Sequence, residues 1–292
     1  MSLLEAIIMG VIQGLTEFLP VSSSGHLALF KILFDVETDT GMLFDVLLHV
    51  GTLIAIFAVF YKDIFRMIKE GFAIIADFFR NVRIFFGNVF QGADEPYHML
   101  VSNSYRKFVM LVIVSTIPTG IIGFVAADVV EAASEILIVP GCCLILTAIL
   151  LFVSDHIADG TKMPKNVTYS NAFFIGICQG LATLPGLSRS GTTITACLFS
   201  KFKRSFAVRY SFIMSIPAVL GALVLELTNF SAVKVTPAEI GYYLAGVVCA
   251  AVVGYIAIKT MLVAVRKKKF TFFAVYCLVV GVISIVGYFY AA

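Results

Sequence analysis

The chain has 292 residues, 60% hydrophobic and only 13% charged, with a net charge of +3 and a mean hydropathy of +1.00. A soluble domain carries roughly 25% charged residues, so this composition excludes a water-soluble globular protein and indicates an integral membrane protein. The apolar runs approach the ~20 residues of a spanning helix and lack the alternation of barrel strands, which predicts an all-α polytopic protein.

Residues 3 to 19 are apolar, but Pro20 and the run Ser22-Ser23-Ser24-Gly25 stop the helix. The next apolar piece, residues 27–34, is too short to cross about 30 Å of hydrocarbon. Helix, turn and short helix predict a re-entrant hairpin, whose irregular backbone needs protein or a wet cavity around it. An acidic loop (Asp35, Glu37, Asp39) leads to a span over about 44–61. Residues 72–90 mix Asp77, Arg80 and Arg83 with Phe and Ile, the pattern of an interfacial helix rather than a span. Residues 91–107 read as a polar linker. Spans follow over about 108–127, with a kink expected at Pro118, and over 136–154, joined by an acidic loop at Asp128, Glu131 and Glu135. A second hairpin begins near Ser170, turns at 185–190 and ends near Phe199; spans over about 210–227, 240–263 and 270–291 complete the chain.

The two turns are related in sequence. Gln13, Ser22, Ser24 and Gly25 map onto Gln179, Ser188, Ser190 and Gly191 at a constant offset of 166, and Pro20 maps onto Pro185 one residue short. A duplication accounts for this, with repeats at approximately 1–155 and 166–292 inside one integral membrane domain, 1–292. The basic clusters, among them Lys62 to Lys69, Lys201 to Arg209 and Arg266 to Lys269, fall on the cytoplasmic side, and the acidic loops fall outside. Each half then holds one re-entrant hairpin and three spans, and an odd number of crossings inverts the second copy. An inverted-topology repeat brings its two broken-helix regions together near the midplane.

Glu17 and His26 are costly inside hydrocarbon unless they are hydrated, paired or functional. Gln13 and Glu17 stand four residues apart on one helix face, where an amide and a carboxylate could meet one metal ion or water. The first turn supplies the hydroxyls of Ser22, Ser23 and Ser24. The second supplies Gly186, Ser188, Ser190, Gly191 and Thr193, together with Arg189. Backbone N–H groups at a helix start and a guanidinium fork suit phosphate oxygens. The residues therefore predict phosphate binding in a membrane cavity, and leave hydrolysis and transport both open. His49, in the span after Asp45, reads as a packed or hydrogen-bonded residue. The six cysteines have no zinc or redox spacing, and no nucleic-acid module is present.

These residues resemble the bacterial undecaprenyl-diphosphatase family, also called bacitracin-resistance proteins. Gln13, Glu17, Phe18, Leu19, Pro20, Val21, Ser22, Ser23, Gly25 and His26 match its first motif, and Pro185, Gly186, Ser188, Arg189, Ser190, Gly191 and Thr193 match its second. The resemblance implies a metal-dependent phosphatase of the bacterial plasma (inner) membrane that converts undecaprenyl diphosphate to undecaprenyl phosphate at the outer face. This recycles the lipid carrier for peptidoglycan and other envelope polymers. It also implies a link to bacitracin, which sequesters the diphosphate. Many relatives carry Glu at the position of Gln13, so here the metal load rests more on Glu17. In that frame Glu17, with Gln13, positions Mg²⁺ or Ca²⁺, and Arg189 and the turn N–H groups hold the diphosphate. Ser23 is the candidate nucleophile, with direct attack by water as the other route. His26 would activate Ser23 or a water, or protonate a leaving oxygen. The expected partners are the lipid diphosphate and membrane lipids; monomer and homodimer are both admitted. The rival function is a secondary transporter or flippase for a phosphorylated prenyl lipid, for which an inverted repeat also speaks.

Overall fold

The computed structural model describes residues 1–34, 43–134, 136, 138–229 and 237–291. Among these it is all-α apart from one isolated bridge between Lys162 and Phe202. Six helices are long and apolar enough to cross a membrane: α3 (Leu43–Gln91), α4 (Ser104–Val125), α6 (Ile138–His156), α9 (Arg204–Asn229), α10 (Pro237–Arg266) and α11 (Phe270–Ala291). The shorter helices are α1 (Leu3–Phe18), α2 (Ser23–Phe34), α5 (Ala127–Ser134), α7 (Tyr169–Leu181) and α8 (Arg189–Phe199).

Local signals set the helix ends. Ser2 and Glu5 form a reciprocal capping box at the start of α1, with Ser2 N–H donating to Glu5 Oε2 at 2.7 Å and Glu5 N–H donating to Ser2 Oγ at 3.3 Å. Pro20 follows the other end, and the chain reverses through Ser22 at φ 70° before α2. Thr168 caps α7 and Ser188 caps α8 through backbone N–H groups of Asn171 and Gly191.

Small residues let the helices approach closely, as packing without a hydrophobic gradient requires. Gly10 and Gly14 of α1 lie on Gly246, Ala250 and Gly254 of α10, with contacts advancing in the same chain direction, so these helices run parallel. Gly51 places α3 parallel to α10 in the same way. Gly176 and Gly180 of α7 lie on Ser115, Pro118 and Ile122 of α4, again parallel. Two other pairs run antiparallel. Gly141 of α6 meets Gly281 and Ile285 of α11 while Asp155 accepts from the N–H groups of Phe270 and Thr271, and on α3 and α9 Asp63 pairs with Arg209 while Phe60 packs on Phe212. A Cβ at Gly14 would sit 2.7 Å from the Ala250 carbonyl oxygen. Gly14→Val is therefore expected to cost about 1–3 kcal/mol of stability, read as a lower midpoint of reversible unfolding in mixed micelles.

The structure departs from the sequence reading in three places. The expected interfacial segment is continuous with the preceding span, and α3 changes direction at Phe60 (φ −107°, ψ 21°), where neither Pro nor Gly signals a break. Pro118 lies inside α4, which runs on through it. The linker before α4 ends earlier, because Asn103 caps the helix through the N–H groups of Tyr105 and Arg106. The stretch from Asp128, expected as an acidic loop, instead belongs to α5 (Ala127–Ser134). The acidic positions 35, 37, 39 and 135 lie outside the described residues.

Candidate active site

The turn between α1 and α2 and the turn between α7 and α8 meet. A Cβ at Gly25 would lie 2.9 Å from Gly186 Cα, and one at Gly191 would lie 3.3 Å from Pro20 Cβ. Gly186, at φ +90°, also faces the backbone of Pro140, so its lack of a side chain serves both conformation and approach. The turns share a bonding pattern: Ser22 Oγ accepts from Gly25 N–H at 3.3 Å and contacts Ser24, while Ser188 Oγ accepts from Gly191 N–H at 3.1 Å and contacts Ser190.

Glu17 is the hub of the junction. It is buried near the end of α1, and its Oε1 accepts from the Arg189 guanidinium across the two turns. Its Oε2 accepts from Ser23 Oγ at 2.5 Å and from Gln13 Nε2 at 3.1 Å. Thus four of the residues singled out by sequence, Gln13, Glu17, Ser23 and Arg189, converge within one hydrogen-bonded cluster.

The others sit differently. His26 Nδ1 lies 2.7 Å from the Ser22 carbonyl oxygen, which can only accept, so Nδ1 carries the proton and Nε2 of the neutral ring accepts from the Tyr276 hydroxyl at 2.8 Å. The His26 and Tyr276 rings also stack, with centroids 5.6 Å apart. The imidazole is therefore bonded to Ser22 and Tyr276 rather than to Ser23. Ser24 is exposed, whereas Ser22, Ser188 and Ser190 are buried. Thr193 bonds to Arg189 O at 2.8 Å and to Ser211 Oγ at 2.5 Å, one layer behind the cluster.

Three residues that the motifs did not single out complete the arrangement. His49 of α3 donates from Nδ1 to Asp45 O at 2.8 Å and places Nε2 3.7 Å from Glu17 Oε2. Thr147 of α6 donates to Gly186 O at 3.1 Å and accepts from Ser188 N–H at 2.9 Å, fixing the second turn. Tyr276 of α11 orients His26. His49 carried a signal, because an ionisable residue inside an apolar span marks a site by default.

The cluster fits the divalent cation that the resemblance implies. Gln13 Oε1 is buried and has no hydrogen-bond partner, and with the Glu17 carboxylate it offers the hard oxygen donors that Mg²⁺ and Ca²⁺ take. Among the described residues no group of three or more His, Cys, Asp or Glu could hold a metal, so phosphate oxygens of a substrate would have to complete the coordination, the usual arrangement for Mg²⁺ at phosphates.

The family model described as Bacitracin resistance protein BacA matches residues 6–283. The chain belongs to the bacitracin-resistance family. It is 40% identical over 286 residues to the undecaprenyl-diphosphatase of Desulfatibacillum aliphaticivorans, covering 98% of this chain and 99% of the relative. It is 38% identical over 292 residues to that of Desulforapulum autotrophicum, covering all of both, and 38% identical over 286 residues to that of Methanosphaera stadtmanae, covering 98% of both. The family match spans both turns, so the paired motifs and the residues that join them belong to one family unit. The six long apolar helices among the described residues, with the family match, place this member of the family in the membrane as a multi-pass protein.

Proposed function

We propose that the chain hydrolyses undecaprenyl diphosphate to undecaprenyl phosphate and inorganic phosphate in the bacterial inner membrane, at the junction of the two turns. The observation that carries the site is the bond from Ser23 Oγ to Glu17 Oε2, with Arg189 on the other carboxylate oxygen. It puts a nucleophile, its base and a phosphate-binding guanidinium within one contact of each other, as covalent catalysis requires.

In this reading each turn is the tip of a re-entrant hairpin and the two halves are inverted repeats. The support is directional. α1 runs with α10 and α3, α7 runs with α4, and the α3–α9 and α6–α11 pairs are antiparallel, as a two-fold axis in the membrane plane demands. The single domain then consists of repeats at about 1–155 and 166–292.

Phosphate oxygens entering the junction exchange for Glu17 at Arg189. Oε1 is then freed from Arg189 while Oε2 stays on Ser23 Oγ as its base. Ser23 Oγ attacks the terminal phosphorus in line, its proton passes to Glu17 Oε2, and the bond from that phosphorus to the bridging oxygen breaks, so undecaprenyl phosphate leaves with that oxygen. Glu17 sheds that proton to solvent; water then adds to phosphorus as Glu17 Oε2 takes its proton, the P–Oγ bond breaks, and Ser23 Oγ takes the proton back from Glu17 as inorganic phosphate leaves. His49 Nε2 stands 3.7 Å from Oε2, and His26 with Tyr276 holds the first turn. Glu17 and Gln13 would hold the cation, which when bound compensates charge on the phosphate oxygens.

Rapid quench during turnover of ³²P-labelled undecaprenyl diphosphate, with and without EDTA, tests this. A ³²P ester on Ser23 that forms and decays as fast as phosphate is released, absent in Ser23→Ala and suppressed by EDTA, is the expected result. Rapid phosphate release with no such ester would replace the serine route by direct attack of water.

A further inference from the structure

Beyond Phe60 the helix α3 continues to Gln91, past the length a span requires, and its exposed residues sort by type around the axis. Phe65, Phe72, Phe79 and Phe86 recur every seven residues, each interval holding an exposed Ile or Val. Phe72 is 69% and Phe79 65% exposed, so the aromatic stripe has no protein cover. With Phe78, Phe85 and Phe90 the apolar arc widens to roughly 160° at 3.6 residues per turn.

The opposite edge is polar and is the one the protein covers. Asp63 accepts from Tyr105 and Arg209, Glu70 and Asp77 accept from Arg106, and Asn81 and Asn88 bond to the backbone of His98 and Glu95 in the returning segment. Between the two edges lies a cationic flank of Lys62, Arg66, Lys69, Arg80 and Arg83; Arg80 pairs with Asp77 and Arg66 lies over the Tyr105 ring, while Lys62, Lys69 and Arg83 have no ion pair to a described carboxylate.

A water-soluble extension would cover its phenylalanines and hydrate its carboxylates; this one does the reverse. The geometry points to an anionic phospholipid surface as the occupant of this face, with the Phe65-to-Phe86 stripe seated at the acyl boundary and Lys62, Lys69 and Arg83 on acidic headgroups. Charge complementarity and continuity with a membrane span favour it over a second copy of the chain. The arc exceeds the narrow seam of a two-stranded coil, and Phe occupies positions where such coils use Leu, Ile or Val.

The chain contains no Trp, so Phe79→Trp of the full-length protein carries a single reporter, with Phe72→Trp as a second. Each is reconstituted in phosphatidylcholine and phosphatidylglycerol vesicles in which one lipid at a time is brominated. Emission protected from aqueous iodide, strongly quenched by shallow bromines, and quenched by brominated phosphatidylglycerol roughly twofold or more beyond its mole fraction is expected. The excess should vanish when Lys62, Lys69 and Arg83 are all changed to Gln, while the depth signal stays. Emission open to iodide and insensitive to bromolipid would overturn the proposal. So would emission shielded from iodide yet insensitive to bromolipid in a dimeric protein, which would seat a second copy on the face. Equal quenching by both brominated lipids would overturn the anionic preference.

Discussion

Glu17→Gln should lower phosphate release from undecaprenyl diphosphate by about 10³-fold or more, at the upper part of the range for loss of a positioned base, with the protein still folded. The isosteric amide occupies the same buried volume, but it replaces one acceptor oxygen by an N–H₂ donor. In the native site both oxygens are used as acceptors: Oε1 by Arg189, and Oε2 by Ser23 at 2.5 Å and Gln13 at 3.1 Å. Whichever way the new amide turns, its nitrogen faces donors. It cannot take the Ser23 proton, and it removes the carboxylate this chain would offer a cation, since the position four residues earlier is itself an amide. Direct assay of the purified variant, with thermal unfolding as the check on folding, measures this. Activity within tenfold of the native protein would remove Glu17 from the chemistry.

Arg189→Ala is the second large effect, with kcat/KM expected to fall about 10³-fold, the scale on which a transition-state arginine acts in phosphoryl transfer. Two losses combine. The phosphate loses its fork-shaped donor, and Glu17 Oε1, buried beside the turn, loses its counterion. Arg189→Lys restores charge without the paired N–H geometry and should recover less than about a tenth of the lost rate. Full recovery by Lys would mean that a point charge suffices.

The two turns were legible from sequence because their chemistry is local. Pro20 and Pro185, the Ser and Gly residues and Arg189 each dictate structure within a few positions, and the offset of 166 ties the copies together. The convergence of Glu17 with Arg189 followed from loop charges and an odd number of crossings. The rest of the site depends on contacts between distant segments. His49 approaches Glu17 only because Gly51 lets α3 pack on α10 alongside α1. Tyr276 and Thr147 are ordinary span residues until α11 and α6 bring them to the turns. His26 shows what spacing alone does not determine: it stands three residues past Ser23, yet its ring is bonded to the Ser22 carbonyl and Tyr276, and the carboxylate of Glu17 is what meets Ser23. The change of direction at Phe60 has no local signal, and α5 formed where charge alone suggested a loop.

The most direct test of the central claim, that residues from both turns make one phosphatase site, is a double-mutant cycle on phosphate release by the purified protein, using Glu17→Gln, Arg189→Ala and the pair. Partners in one constellation lose activity non-additively, so the double variant should be slower than the worse single variant by no more than about threefold. Losses that multiply, or a well-folded native protein that releases no phosphate from undecaprenyl diphosphate, would contradict the account.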